Sequence, residues 1–229
     1  MLLRLSGVLN GPELQQAQAM LRAQALWRDG RHSAGGQAAQ VKRNQQLAAD
    51  SEAHAALAPL VKQALLRDPV FYSAALPARW SGPHFNRYDD GGACYGAHVD
   101  NALLRGSGED GPWVRGDLSC TLFLSAPEDY DGGELVMREG SRRQSVKLAA
   151  GDAVLYPGSS VHEVLPVTRG VRLASFMWLQ SLVRDGAQRA LLFDLDQRIT
   201  RLRASLGESE DLVALTSTYH NLLRMWAQT

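Results

Sequence analysis

The sequence predicts a mainly β fold of the sandwich or jelly-roll kind, flanked by helices in an α+β arrangement. Three observations carry that prediction. From residue 81 onward, short runs rich in β-branched and aromatic residues alternate with Gly, Pro and Asp; they include "HFNRY", "LSCTLFL", "GELVM", "DAVLYP" and "VRLASFMWL". No helix-length pattern separates these runs, which argues against a parallel α/β sheet. After Asp185 the period changes: Leu192, Leu195, Ile199, Leu202 and Leu206 step by three and four residues, as do Leu212, Leu215, Tyr219, Leu222 and Trp226.

Taken in order, residues 12–28 read as a first helix. Pro12 behind Asn10-Gly11 suits a first helical position, and Leu14, Ala17 and Leu21 form a stripe. The segment "RHSAGGQAAQVKRNQQ" is small and polar and reads as loop with room for one strand. A second helix is expected from about Asp50 to Leu66, with Pro59 either kinking it or marking its true start. The strand region follows, punctuated by turns such as Asp131-Gly132-Gly133 and Ala150-Gly151-Asp152. The two last stripes, joined by "GESED", read as a helical hairpin. Its apolar face must pack on the barrel, on the first helices or on another subunit, which makes a homo-oligomer contact an expectation. The organisation is therefore an N-terminal helical support at 1–80, a β core at 81–182 and a hairpin at 183–229.

Composition narrows the function classes. The 229 residues are 45% hydrophobic and 21% charged, and Lys plus Arg equals Asp plus Glu at 24 each, so neither nucleic acid nor an acidic membrane face is an expected partner. Two cysteines, Cys94 and Cys120, cannot build a disulfide framework or a cysteine-rich zinc site. The start "MLLRLSGVLNGPEL" lacks a signal-peptide core, and no run approaches a membrane span, so the chain reads as a reduced, cytoplasmic protein. "GSGEDG" at 106–111 matches Gly-x-Gly-x-x-Gly, yet Pro112-Trp113 follows instead of a helix start and two acids would repel a pyrophosphate; it reads as a surface loop.

The chemistry lies in "YGAHVDNALL". With six histidines and 15 aspartates in 229 residues, about 0.4 accidental His-x-Asp triplets are expected, so His98-Val99-Asp100 needs a partner. His162 supplies one, 62 residues after Asp100 and in a later strand. Two imidazoles and a carboxylate are the protein ligands of a non-haem iron(II) facial triad. Residues two apart in an extended segment point the same way, so His98 and Asp100 can share an ion while Val99 faces away. Three ligands leave room for a chelating keto-acid and dioxygen. A distal carboxylate on that acid would need a buried cation. Arg172, inside "VRLASFMW", is either that paired cation or an edge-strand arginine reaching solvent. Arg169, beside Gly170 in a turn, should reach solvent. His32, His54, His84 and His220 have no ligand-like spacing and read as structural or surface residues, and Cys94 as a small filler.

The strings "FNRYDDGGACYGAHVD", "DLSCTLFLSAPEDYDGGELV", "VKLAAGDAVLYPGSSVHEVLPVTRGVRLASFMWLQSLVRD" and "TYHNLLRMW" resemble the bacterial PKHD-type hydroxylases. These are iron(II)- and 2-oxoglutarate-dependent dioxygenases related to prolyl hydroxylases, and the resemblance covers nearly the whole chain. It implies a double-stranded β-helix core, Fe²⁺ at His98, Asp100 and His162, and 2-oxoglutarate on Arg172, with Tyr88 as a further contact. Tyr95 and Trp178 stand near the pocket of such barrels, Trp178 equally well as core. Phe123 departs from the pattern, standing where relatives carry a tyrosine that helps hold the distal carboxylate. The implied reaction consumes dioxygen, hydroxylates a small-molecule or peptidyl substrate, releases succinate and CO₂, and draws on L-ascorbate; a link with bacterial iron homeostasis also follows from the resemblance. Two rivals remain: an iron- and 2-oxoglutarate-binding sensor without turnover, and a cupin-type metalloenzyme, which would expect a histidine at Asp100. A zinc protease is excluded, because His-Glu-x-x-His needs a histidine where Pro166 stands.

Overall fold

The computed structural model describes residues 1–23, 25–106, 111–140 and 142–228. In chain order the elements are β1 (Leu3–Leu5), α1 (Gly11–Ala23), β2 (Trp27–Asp29), α2 (Gly36–Gln40), β3 (Lys42–Arg43), β4 (Gln45–Leu47), α3 (Glu52–Arg67) and α4 (Pro69–Ala75). The strand region holds β5 (Pro77–Asp89), β6 (Cys94–His98), β7 (Leu103–Arg105), β8 (Trp113–Arg115), β9 (Leu118–Phe123), β10 (Tyr130–Gly132), β11 (Leu135–Glu139) and β12 (Arg142–Val146). It continues through β13 (Ala153–Pro157), β14 (Val161–Val164) and β15 (Val167–Ser181), before α5 (Gly186–Leu206) and α6 (Glu210–Trp226).

Two antiparallel sheets form the jelly roll. The larger runs β1-β13-β9-β15-β5-β4-β2, with β10 also on β15; the smaller runs β12-β11-β14-β6-β3, and β7-β8 form a separate hairpin. Strand alternation explains where the core lies. Every residue of β9 is buried, because the strand is covered on both faces. Leu118, Cys120 and Leu122 pack with Leu57, Val61 and Leu65 of α3 and Phe71 of α4. Phe123 points the other way, joining Tyr88, Leu135, Val154, Tyr156 and Val164 between the two sheets. Period two in the sequence thus becomes a helix-backed outer face and a barrel interior.

Helix starts follow local chemistry. Glu13 N–H donates to Asn10 Oδ1 and Asn10 N–H to Glu13 Oε2, both at 3.0 Å, a reciprocal cap for α1. Asp68 and Asp185 accept from the first backbone amides of α4 and α5 in the same manner.

Three expectations change. The first helix ends at Ala23, and Trp27–Asp29 pairs with β4 as a strand. The segment read as loop carries α2, β3 and β4, and these pair with β6 and β5. The second helix starts at Glu52, capped by Ser51, and runs through Pro59. Of the Gly-x-Gly-x-x-Gly stretch, residues 107–110 lie outside the described residues. In the hairpin, Leu192, Ile199 and Leu212 are buried, but Leu202 and Leu206 remain 38% and 75% exposed. Among the described residues, no helix is long and apolar enough to cross a membrane.

Candidate active site

Strand register brings the three ligand-type side chains together. β14 pairs with β6 so that His162 lies directly opposite His98. Asp100 follows two residues after His98, on the same side, while Val99 turns outward and is 53% exposed. The His98 and His162 Nε2 atoms lie 3.9 and 3.7 Å from Asp100 Oδ1. One ligand atom from each residue falls within 4.8 Å of the others.

The surroundings fix which atoms face inward. The Nδ1–H of His98 donates to the Gly96 carbonyl at 2.8 Å, and that of His162 to the Ser160 carbonyl at 3.0 Å. A carbonyl only accepts, so both rings carry a hydrogen on Nδ1 and turn Nε2 towards Asp100. Ser119 Oγ donates to Asp100 Oδ2 at 2.6 Å, leaving Oδ1 for the shared point. Tyr95 stacks on the His98 ring with centroids 3.5 Å apart, and Tyr156 meets the His162 ring edge-on at 5.2 Å. Burial first, and then the neighbouring His162, push the His98 pKa down to about 4, so the ring is neutral at neutral pH. Two imidazole Nε2 atoms and one carboxylate oxygen, convergent on one point, fit a divalent iron.

Deeper in the same cavity lies Arg172. It is 1% exposed, opposite Tyr88 across β15 and β5, with its guanidinium 5.2 Å from the Tyr88 ring and 5.3 Å from that of Phe123. Its Nε and Nη1 are buried without a hydrogen-bond partner. A buried guanidinium left unpaired is costly, and the geometry calls for an anion that the described residues do not supply. Gly133 makes room: a Cβ there would stand 3.0 Å from both Arg172 Cδ and the Tyr130 ring. The fully buried Tyr130 hydroxyl also lacks a partner. Asn44, beside Tyr88, has both amide atoms unpartnered. Arg169, by contrast, is exposed and paired with Asp131 at 2.7 Å.

The cavity that joins these ends measures about 400 Å³. Its outer wall includes His84, Phe176 and Trp178, with the His84 ring 5.4 and 5.6 Å from the two aromatic rings. The opposite wall carries Ser33 and Lys42.

Comparison with known proteins places the chain. The 2OG-Fe(II) oxygenase superfamily matches residues 83–180, and the PKHD-type hydroxylase C-terminal domain matches residues 186–228. A PKHD-type hydroxylase from Variovorax paradoxus (strain S110) is 52% identical over 230 residues, covering 99% of each chain. The chain belongs to the PKHD-type hydroxylases. A second relative, the PKHD-type hydroxylase YbiX of Escherichia coli O1:K1 / APEC, is 50% identical over 228 residues and the whole of both chains. The prolyl hydroxylase of Trichoplax adhaerens, solved with a hypoxia inducible factor peptide, shares the fold at a TM-score of 0.54 and 16% identity, covering 83% of this hydroxylase and 86% of that chain. Membership makes this hydroxylase an iron(II)- and 2-oxoglutarate-dependent dioxygenase.

Within the hydroxylase, the residues singled out in the sequence gather in one cavity: His98, Asp100 and His162 at one point, Tyr95 and Trp178 in its walls, and Arg172 and Tyr88 at its inner end. Phe123 backs the arginine from the core. Sequence reasoning missed Ser119, Asn44, Lys42 and Tyr130. The available signal was alternation alone: Ser119 precedes Phe123 by four positions on β9, and Lys42 precedes Asn44 by two.

Proposed function

We propose that His98, Asp100 and His162 hold the ferrous ion, that Arg172 grips the distal carboxylate of 2-oxoglutarate, and that a substrate enters past Trp178 and Lys42 to be hydroxylated. The carrying observation is the pairing of a convergent His-Asp-His set with a buried, unpartnered arginine in one cavity. When bound, iron supplies the chemistry that couples 2-oxoglutarate decarboxylation to transfer of one O₂ oxygen into a C–H bond, giving succinate, CO₂ and an alcohol. The protein's part is positional. The Gly96 and Ser160 carbonyls fix the histidine tautomers, and Ser119 aims Asp100. Arg172 sets the depth of the co-substrate, and the aromatic walls limit water. Tyr130 and Asn44, with their unpartnered polar atoms, take over the role that a hydroxyl at Phe123 plays in relatives.

The proposal extends to the setting. L-ascorbate serves as reductant for inactivated iron, and the reaction belongs to bacterial iron homeostasis in the cytoplasm; the resemblance to PKHD-type hydroxylases and the two free cysteines support this placing. The test is anaerobic titration of iron-loaded protein with 2-oxoglutarate, followed by admission of oxygen. Expected are a visible charge-transfer band on binding and succinate formed with O₂ uptake. A protein that binds 2-oxoglutarate but never yields succinate would be a sensor.

A further inference from the structure

We propose that the primary substrate is a small carboxylic acid, and that Lys42 receives its carboxylate. This deepens the dioxygenase reading and rests on it. Lys42 belongs to β3, the last strand of the smaller sheet, and pairs with Tyr95 on β6. It is only 4% exposed, yet it lines the cavity. Its Nζ lies 5.0 Å from the Tyr95 ring centroid, and the same ring stacks on His98. The ammonium therefore stands one aromatic ring away from the metal-binding point.

What surrounds that ammonium does not neutralise it. It donates to Ser33 Oγ at 2.8 Å, and Ser33 spends its own hydrogen on the Gly30 carbonyl. A hydroxyl and a ring face are neutral partners, and two of the three N–H groups have no hydrogen-bond acceptor among the described residues. No described carboxylate lies within ion-pair distance of Nζ. The two whose charges reach Lys42 are already engaged: Asp29 is held by Arg31, and Asp100 faces the histidines. A buried cation without a counter-ion is costly, and a ligand anion entering the cavity would remove that cost.

Lys42 and Arg172 serve different ends. Arg172 lies beside Tyr88, Phe123 and Tyr130, whereas Lys42 lies beside Ser33 and Tyr95 on the opposite sheet. The 2-oxoglutarate carboxylate satisfies the first and leaves the second open. One unpaired positive charge matches one carboxylate. A phosphate dianion would overshoot it, and the forked arginine geometry that phosphate favours is absent here. Because only a ring separates Nζ from His98, the C–H bond attacked lies within a few bonds of the substrate's carboxylate.

The test uses full-length, nickel-loaded protein under saturating 2-oxoglutarate, probed by ligand-observed NMR. The probes are the free L-amino acids and short hydroxy acids, each beside its primary amide, with phosphate monoesters as a third arm. Acids should bind, and their amides should bind roughly 30-fold more weakly or worse. Lys42→Met should abolish the difference, while Lys42→Arg retains part of it. Four results overturn the inference: equal binding of acid and amide, acid preference surviving in Lys42→Met, preference for phosphate esters, or no acid binding up to millimolar concentration. So would a loss of 2-oxoglutarate affinity in Lys42→Met as large as that in Arg172→Ala, which would move Lys42 to the co-substrate. Failure of the wild-type protein to bind 2-oxoglutarate would instead sink the dioxygenase reading itself.

Discussion

At the scale of single residues, the two arginines after His162 make the sharpest contrast. Arg172 is buried with two orphaned nitrogens, whereas Arg169 forms an exposed pair with Asp131. Losing a buried, hydrogen-bonded charge partner costs about 2–5 kcal/mol, while an exposed pair is worth roughly 1 kcal/mol or less. Arg172→Ala should therefore raise the 2-oxoglutarate requirement by roughly 30-fold or more, with metal binding retained, and Arg169→Ala should change it little. Titration of both variants with 2-oxoglutarate decides; a reversed order would place the co-substrate elsewhere. Ser119 allows a second prediction. Its hydroxyl holds Asp100 Oδ2 at 2.6 Å, and loss of such an orienting group typically costs about 10–100-fold in metal affinity. Ser119→Ala should show that loss in a competitive metal titration, and unchanged affinity would mean Asp100 orients itself. The His-x-Asp spacing was legible because alternation dictates it. Ser119 was not, since a serine in a buried strand carries no local mark of what it faces.

At the scale of elements, the C-terminal hairpin divides into a docked and an overhanging part. Leu192 is fully buried with Leu76 and Val183, against Tyr219, Leu222 and Trp226. Arg189 ties α5 to the end of β15's exit by donating to the Val183 carbonyl at 2.7 Å. Leu206, near Gly207, is 75% exposed. Leu192→Ala should cost about 2–5 kcal/mol, whereas Leu206→Ala should stay within roughly 0.5 kcal/mol. Denaturant unfolding of the two variants measures this, and equal effects would mean that the overhang is covered in solution. The three-and-four spacing revealed both helices but not how far their stripe is used. The opposite error occurred at residues 31–46. There β3 and β4 are two and three residues long and are held by β6 and β5. A strand fixed by distant partners leaves little trace in its own composition, so Lys42 and Asn44 were hidden inside what reads as polar loop.

At the scale of the whole molecule, placing imidazoles inside a barrel ties stability to pH. Burial pushes His84, packed between Phe176 and Trp178, down to about 4, and His98 likewise to about 4. In the unfolded chain both rings take up protons near pH 6.5. Between roughly pH 6.5 and 4 the unfolded state therefore binds more protons than the folded one, and stability falls as pH is lowered through that window. The slope approaches about 1.4 kcal/mol per pH unit for each histidine. Above pH 6.5 neither ring contributes a slope. Metal-free protein unfolded in denaturant at stepped pH should show this acid-side decline, and His84→Gln should lower its slope by up to about 1.4 kcal/mol per pH unit while leaving His98 in place. An acid-side slope unchanged by that substitution would mean that His84 remains neutral in both states or is protonated in both. The same burial that makes the fold acid-sensitive keeps the His98 ring unprotonated at neutral pH, so its free Nε2 and the dry barrel interior have one physical origin.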